Sequence, residues 1–133
     1  MQQVINILLI DDDPAEEIIL GAMLSKVVNY KIKLTFCLTL ADGLKHIANG
    51  TAIDIILLDN RLHPGEDFRE SVPRIRQSNF IGPIGVISSS LTDPYFQDFQ
   101  EFGADFRIDK AEFDPTAIEF LIREYVAKKD AAN

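Results

Sequence analysis

Hydrophobic positions along the chain gather into five strand-like runs, each followed by a helix-like segment. Val4–Ile10, Ile53–Leu58 and Ile84–Ile87 are short and largely apolar, whereas Lys31–Cys37 and Asp105–Asp109 alternate apolar with polar. Runs of this length, rich in branched apolar residues, predict strands. Pro14–Val28, Ala41–Asn49, Ser71–Ser78, Pro94–Phe102 and Pro115–Lys128 are predicted to be helices. Three of them open on the same pair: Asp13-Pro14, Asp93-Pro94 and Asp114-Pro115. The aspartate accepts from free backbone N–H groups, and proline loses nothing at the first helical position. Thr39 and Asp42 resemble a capping box before the second helix. The third helix is placed from near Ser71, because Pro73 is expected to break a helix that runs from Asp67.

Strands alternating with helices imply βαβ units and a parallel sheet. Continuously apolar strands are buried on both faces, and alternating ones have one wet face. That puts the first and third strands at the centre and the second and fifth at the edges. The expected architecture is α/β: a flavodoxin-like, doubly wound, five-stranded parallel sheet of order 2-1-3-4-5 with five helices. Its crevice lies beyond the C-terminal ends of the strands. Asp11, Asp12 and Asp13 follow the first strand, and Asp59, Asn60 and Arg61 follow the third. Ser88, Ser89 and Ser90 follow the fourth, and Lys110 ends the fifth.

The chain's 133 residues suit a single domain, 1–133, with no repeat or linker. A net charge of −8, with 13 basic residues that no stretch concentrates, argues against nucleic acid or an anionic membrane surface as partner. No apolar run is long enough to span a bilayer, and the start MQQVINILLI lacks the features of a signal peptide. The one cysteine, Cys37, is read as a packed thiol and fits a reducing cytoplasm.

Charge makes the crevice informative. Two carboxylates about 4 Å apart repel by roughly 4 kcal/mol at an effective dielectric near 20. A chain that gathers Asp11, Asp12 and Asp59 is therefore expected to bind a cation or to shift a pKa. All-oxygen ligands point to Mg²⁺, Mn²⁺ or Ca²⁺, and few protein ligands beside a phosphate oxygen favour Mg²⁺. Lys110 and Ser88 suit phosphoryl oxygens, the first by charge and the second by donating a hydrogen bond. Asp59 is then the nucleophile, giving an aspartyl phosphate. Singly, each residue has a plainer role: Asp13 as a helix cap, Asp11 and Asp12 in a turn, Lys110 on a solvated edge. Their convergence on one crevice carries the reading.

The segments LLIDDDP (Leu8–Pro14), IILLDNRL (Ile55–Leu62), GVISSS (Gly85–Ser90) and GADFRIDK (Gly103–Lys110) occur in that order. As a set they resemble the receiver domain of two-component response regulators, over Ile7 to about Lys128. The resemblance implies an acid pair at Asp11 and Asp12, a phosphoacceptor at Asp59, a switch hydroxyl at Ser88 and a lysine at Lys110. It also implies Mg²⁺ held by Asp12, Asp59 and the backbone carbonyl of Arg61. The phosphodonor would be a histidine kinase or a histidine-phosphotransfer protein. The domain would catalyse its own phosphorylation without turning over a separate substrate. With no output domain expected after the fifth helix, it would signal through protein partners.

Three positions depart from the family pattern. Arg107 stands where an aromatic residue often rotates with the switch hydroxyl, and it could reach Asp98 or Glu101 instead. Ala111 replaces the usual proline after the lysine, and Leu62–Asp67 replaces the usual loop after the phosphoacceptor. His63 in that loop is read as solvent-exposed. On the first helix, Ala15, Ile18, Ala22 and Ser25 are expected outward, as is Phe120 on the fifth. The alternative to a phosphoacceptor is a phosphorylation-independent interaction module on the same fold, which the retained Asp59, Ser88 and Lys110 argue against. A phosphatase with an aspartyl intermediate would need an acid–base group and a cap. A flavin site would need a glycine- and hydroxyl-rich loop where the three aspartates stand.

Overall fold

Five parallel strands form one sheet: β1 (Gln3–Ile10), β2 (Tyr30–Cys37), β3 (Ile55–Asp59), β4 (Ile84–Ser88) and β5 (Phe106–Asp109). Their spatial order is β2-β1-β3-β4-β5, the expected 2-1-3-4-5. This is a computed structural model, and it describes residues 2–62, 66–88 and 94–127. In register, Ile10 lies beside Cys37 and Leu58, Asp59 beside Ile87, and Ser88 beside Asp109. The strands therefore end level with one another, and whatever follows them meets at one edge.

The burial pattern explains the order. Ile7–Ile10 and Ile55–Leu58 are buried throughout, as strands covered on both faces must be. In β2, Lys31 and Lys33 are exposed between half-buried Tyr30, Ile32 and Leu34, as suits an edge. Alternate residues of β1 feed two core layers. Ile5, Ile7 and Leu9 pack with α1 (Ala15–Leu24) and α4 (Pro115–Ile122). Leu8 and Ile10 pack with α2 (Leu40–Ala48), α3 (Phe68–Gln77) and the 3-10 helix Pro94–Phe102. Each fully buried Leu or Ile stabilises the fold by about 1.5–3 kcal/mol relative to exposure.

Several boundaries differ from the sequence reading. Helix α1 ends at Leu24, four residues before Val28: the Lys26 and Val27 N–H groups bond carbonyls only three residues back, those of Met23 and Leu24 (3.1 Å each), and the N–H groups of Val28 (3.1 Å) and Asn29 (2.9 Å) go to the Glu119 carboxylate. Strand β3 begins at Ile55 rather than Ile53. The Asp54 carboxylate accepts from the backbone N–H of Asn6 (2.7 Å) and from its side-chain amide (3.1 Å), tying off the strand below.

Helix α3 begins at Phe68, not Ser71, and contains Pro73. Asp67 caps it by accepting from the Arg69 N–H at 2.9 Å. Proline removes one helical hydrogen bond, but Phe68, Val72 and Ile75 are fully buried and hold the helix on the sheet. The fourth helix has the expected bounds but 3-10 geometry, with a kink at Asp98. Residues three apart eclipse in such a helix, and Phe99 and Phe102 both pack against the core. The last helix runs to Ile122 and then makes a π turn, Arg123–Ala127. The expected cap at Asp93 and the end at Lys128 lie outside the described residues.

Candidate functional site

The site is built where β1, β3 and β5 end. After Ile10, the Asp11 N–H donates to the Cys37 carbonyl at 3.0 Å, extending the ladder by one residue. This fixes Asp11 as a fully buried residue. Its Oδ1 accepts from the Asp13 N–H (3.0 Å), and its Oδ2 takes the Lys110 ammonium at 3.1 Å. Asp12 is exposed. Asp13 is also exposed and accepts from the Ala15 N–H at 3.0 Å, so it is the helix cap that was expected.

Asp59 is the last residue of β3, and the following N–H, of Asn60, still bonds the Ile87 carbonyl at 2.8 Å. A carboxylate oxygen from each of Asp11, Asp12 and Asp59 lies within 4.8 Å of the other two. Lys110 opens a single 3-10 turn, Lys110–Glu112, capped by Asp109, whose Oδ1 accepts from the Ala111 N–H at 2.9 Å. That turn aims the lysine back across the strand ends. Its Nζ stands 3.1 Å from Asp11, 3.3 Å from Asp59 and 3.8 Å from Glu16. Ser88 ends β4, one residue past the partner of Asp59, and is buried.

The electrostatics follow from this crowding. Burial raises the Asp59 carboxyl, and the Asp11 charge raises it further; Lys110 pulls the other way, and the net value is about 6. Burial favours the neutral form of Lys110, but the Asp59, Asp11 and Glu16 carboxylates outweigh it and hold the ammonium above its usual 10.5. Three carboxylates, of Asp11, Asp59 and Glu16, face the one Lys110 ammonium, so negative charge is in excess around it at the strand ends. The donor set is all oxygen, partly desolvated and partly open through Asp12, which fits a hard divalent cation. Asp12 and Asp59 offer the ligand atoms, and Asp11 completes the triad.

Sequence reasoning brought Asp11, Asp12, Asp59, Ser88 and Lys110 to one edge, and the structure places all five there. Arg61, whose carbonyl was the further expected ligand, lies two residues past Asp59 in a short antiparallel ribbon, Arg61–Leu62 with Glu66–Asp67. Its charge helps hold the Asp67 carboxyl below its usual value, although the hydrogen bond from the Arg69 side chain is the larger cause. Arg107 is exposed, and its guanidinium lies over the Phe99 ring, 5.7 Å from the centroid. Ser89, Ser90 and His63 lie outside the described residues. Ala15, Ile18, Ala22, Ser25 and Phe120 are exposed as expected.

Glu16 was missed. Its signal was present: it precedes the buried Leu20 and Leu24 by four and eight residues, and so lies on the core stripe of α1.

No protein-family model and no curated protein matches the sequence. Solved structures do match. A receiver domain protein from Methanospirillum hungatei superposes with a TM-score of 0.77 at 20% identity, covering 98% of this chain and 100% of that one. The signal receiver domain of an HD domain-containing protein from Pseudomonas fluorescens gives 0.77 at 18% identity, with 98% and 100% covered. The receiver domain of a sensor histidine kinase from Pseudomonas aeruginosa, solved with a magnesium ion in its active-site cleft, gives 0.74 at 19% identity, with 96% and 99% covered. The fold of this chain is the receiver fold.

Proposed function

We propose that the protein is a phosphoacceptor of a two-component phosphorelay, taking a phosphoryl group onto Asp59 in a Mg²⁺-dependent reaction. The carrying observation is that Asp59 ends a buried central strand with Lys110 at 3.3 Å and two further carboxylates within 4.8 Å. An Asp59 oxygen attacks the phosphorus of a phosphohistidine. The new P–O bond forms as the P–N bond breaks, and the imidazole leaves with the bonding pair. With a carboxyl near 6, Asp59 is mainly ionised at neutral pH and ready to attack. Lys110 neutralises charge gathering on the phosphoryl oxygens, and the Ser88 hydroxyl donates to one of them.

Asp12, Asp59 and the Arg61 carbonyl are the proposed Mg²⁺ ligands, with Asp11 beside them. The cation supplies charge neutralisation between acceptor and phosphoryl group. The donor is a histidine kinase or histidine-phosphotransfer protein, and the response is read by a protein target. Among the described residues no helix is long and apolar enough to cross a membrane, and Cys37 is a buried thiol. The proposed setting is a reducing cytoplasm, with which the free, buried Cys37 thiol is compatible.

Incubation with a small phosphodonor and Mg²⁺, followed by intact mass, tests the proposal. One added phosphoryl group is expected on the wild type and none on Asp59→Asn. Equal labelling of both, or none of either, overturns it.

A further inference from the structure

Glu16 has no part in the proposed chemistry, yet it stands at the site. It lies in the first turn of α1, where its neighbours Ala15 and Glu17 are exposed. Its own side chain is only 15% exposed. Side chains on a helix lean toward its N-terminus, so a residue on the core stripe of the first turn points at the strand ends. The Glu16 carboxylate reaches 3.8 Å from Lys110 Nζ. Attraction falls only as the reciprocal of distance, so Glu16 draws the ammonium about nine-tenths as strongly as Asp59 does at 3.3 Å.

Resting on the reading of Asp11, Asp12 and Asp59 as the cation site, we propose that Glu16 is a positioning residue for Lys110. It is the carboxylate that holds the ammonium in the crevice when the other acids turn to the cation. Lys110 and a divalent cation need the same oxygens. Asp11 and Asp59 cannot serve both at full strength, and Lys110 must give way without leaving. Glu16 offers the exchange, because it lies beside Lys110 but outside the triad within 4.8 Å. It lowers the cost of cation entry and keeps the amine where a phosphoryl group would arrive. The plainer role, an acid complementing the helix N-terminus, is shared by Glu17 and needs no lysine.

A double-mutant cycle on Mg²⁺ affinity separates the two roles, with titration calorimetry as the readout. Glu16→Gln should weaken Mg²⁺ binding about fivefold, and Glu17→Gln, which removes the same charge, should leave it unchanged. In a Lys110→Met background the Glu16→Gln effect should largely vanish. Lys110→Gln replaces Lys110→Met if melting shows that the latter does not fold. Glu16→Asp, with a shorter reach, should restore part of the affinity.

Labelling by a small phosphodonor should slow in Glu16→Gln even at saturating Mg²⁺. Equal losses in the Glu16 and Glu17 variants, or a Glu16 effect that persists without the lysine, overturn the positioning role while leaving the cation site standing. A wild type that binds no Mg²⁺ overturns both.

Discussion

The two ends of the sheet treat charge in opposite ways. At the N-terminal ends of β4 and β5, Arg76 makes five hydrogen bonds. It donates twice to the Gly103 carbonyl (3.0 and 2.9 Å), once each to the carbonyls of Phe80 (3.0 Å) and Gly82 (2.7 Å), and once to Asp105 Oδ2 (3.0 Å). The same Asp105 oxygen accepts from the Ile84 N–H at 2.9 Å. One guanidinium thus ties the loop after α3 to the turn before β5, where Gly103 takes the positive φ of 104° that a side chain would resist. At the other end, Asp11, Asp59 and Glu16 share the Lys110 ammonium, with Asp12 in the same acidic triad. The first cluster is matched and holds the fold. The second is unmatched, and its repulsion is what a cation and a phosphoryl group can exploit. Charged clusters at the two ends of one sheet thus differ in purpose according to whether their charges balance.

The largest effect is expected at the matched end. Arg76→Ala leaves three backbone carbonyls and a carboxylate short of a donor and should destabilise by about 3 kcal/mol, the upper end for charged hydrogen bonds. Chemical denaturation measures this, and Mg²⁺ affinity should survive in the folded fraction. Arg76→Lys should recover little, since a point charge cannot span the same acceptors.

Next comes the metal response. Mg²⁺ at about one hundred times its dissociation constant should stabilise the wild type by roughly 2.7 kcal/mol, several degrees of melting temperature. Asp12→Ala should lose that response and, in EDTA, melt no lower than the wild type. Identical wild-type melts with EDTA and with Mg²⁺ would erase the contrast between the two ends.

Smaller again is the pH effect. The Asp59 carboxyl is raised from 3.8 to about 6 by burial, then by Asp11. Between those values the folded chain binds a proton that the unfolded chain has lost. Stability of the metal-free protein should therefore fall as pH rises from about 4 through about 6, by roughly 1–2 kcal/mol after solvent screening. Asp59→Asn should lack this slope, so the difference between the two pH profiles should display it. The smallest effect is at the edge: Arg107→Ala should cost about 1 kcal/mol, since the side chain is exposed and its contact with the Phe99 ring is a surface one.

Sequence alone made the sheet legible because burial on two faces leaves continuous apolar strands, and Ile7–Ile10 and Ile55–Leu58 read that way. Strand order then followed, and with it the convergence of Asp11, Asp12, Asp59, Ser88 and Lys110. Tertiary contacts decided what was misread. Pro73 argued locally against a helix from Phe68, but three buried side chains and the Asp67 cap outweighed it. The N–H groups just beyond α1 are taken by Glu119, ninety residues away in sequence, which no local pattern reveals. Arg76 was silent for the same reason: its acceptors are backbone carbonyls, which carry no sequence signature. Arg107 was read on charge alone, and its place over the Phe99 ring, a contact that charge does not announce, was not foreseen.

Trapping the acyl phosphate where it forms tests the central claim most directly. After exposure to a phosphodonor and Mg²⁺, borohydride reduces an aspartyl phosphate to homoserine, and peptide mass spectrometry reads its position. The account predicts homoserine at position 59, dependent on Mg²⁺ and strongly reduced in Lys110→Ala. Homoserine at Asp11 or Asp12, or phosphate found only on a serine, would contradict it.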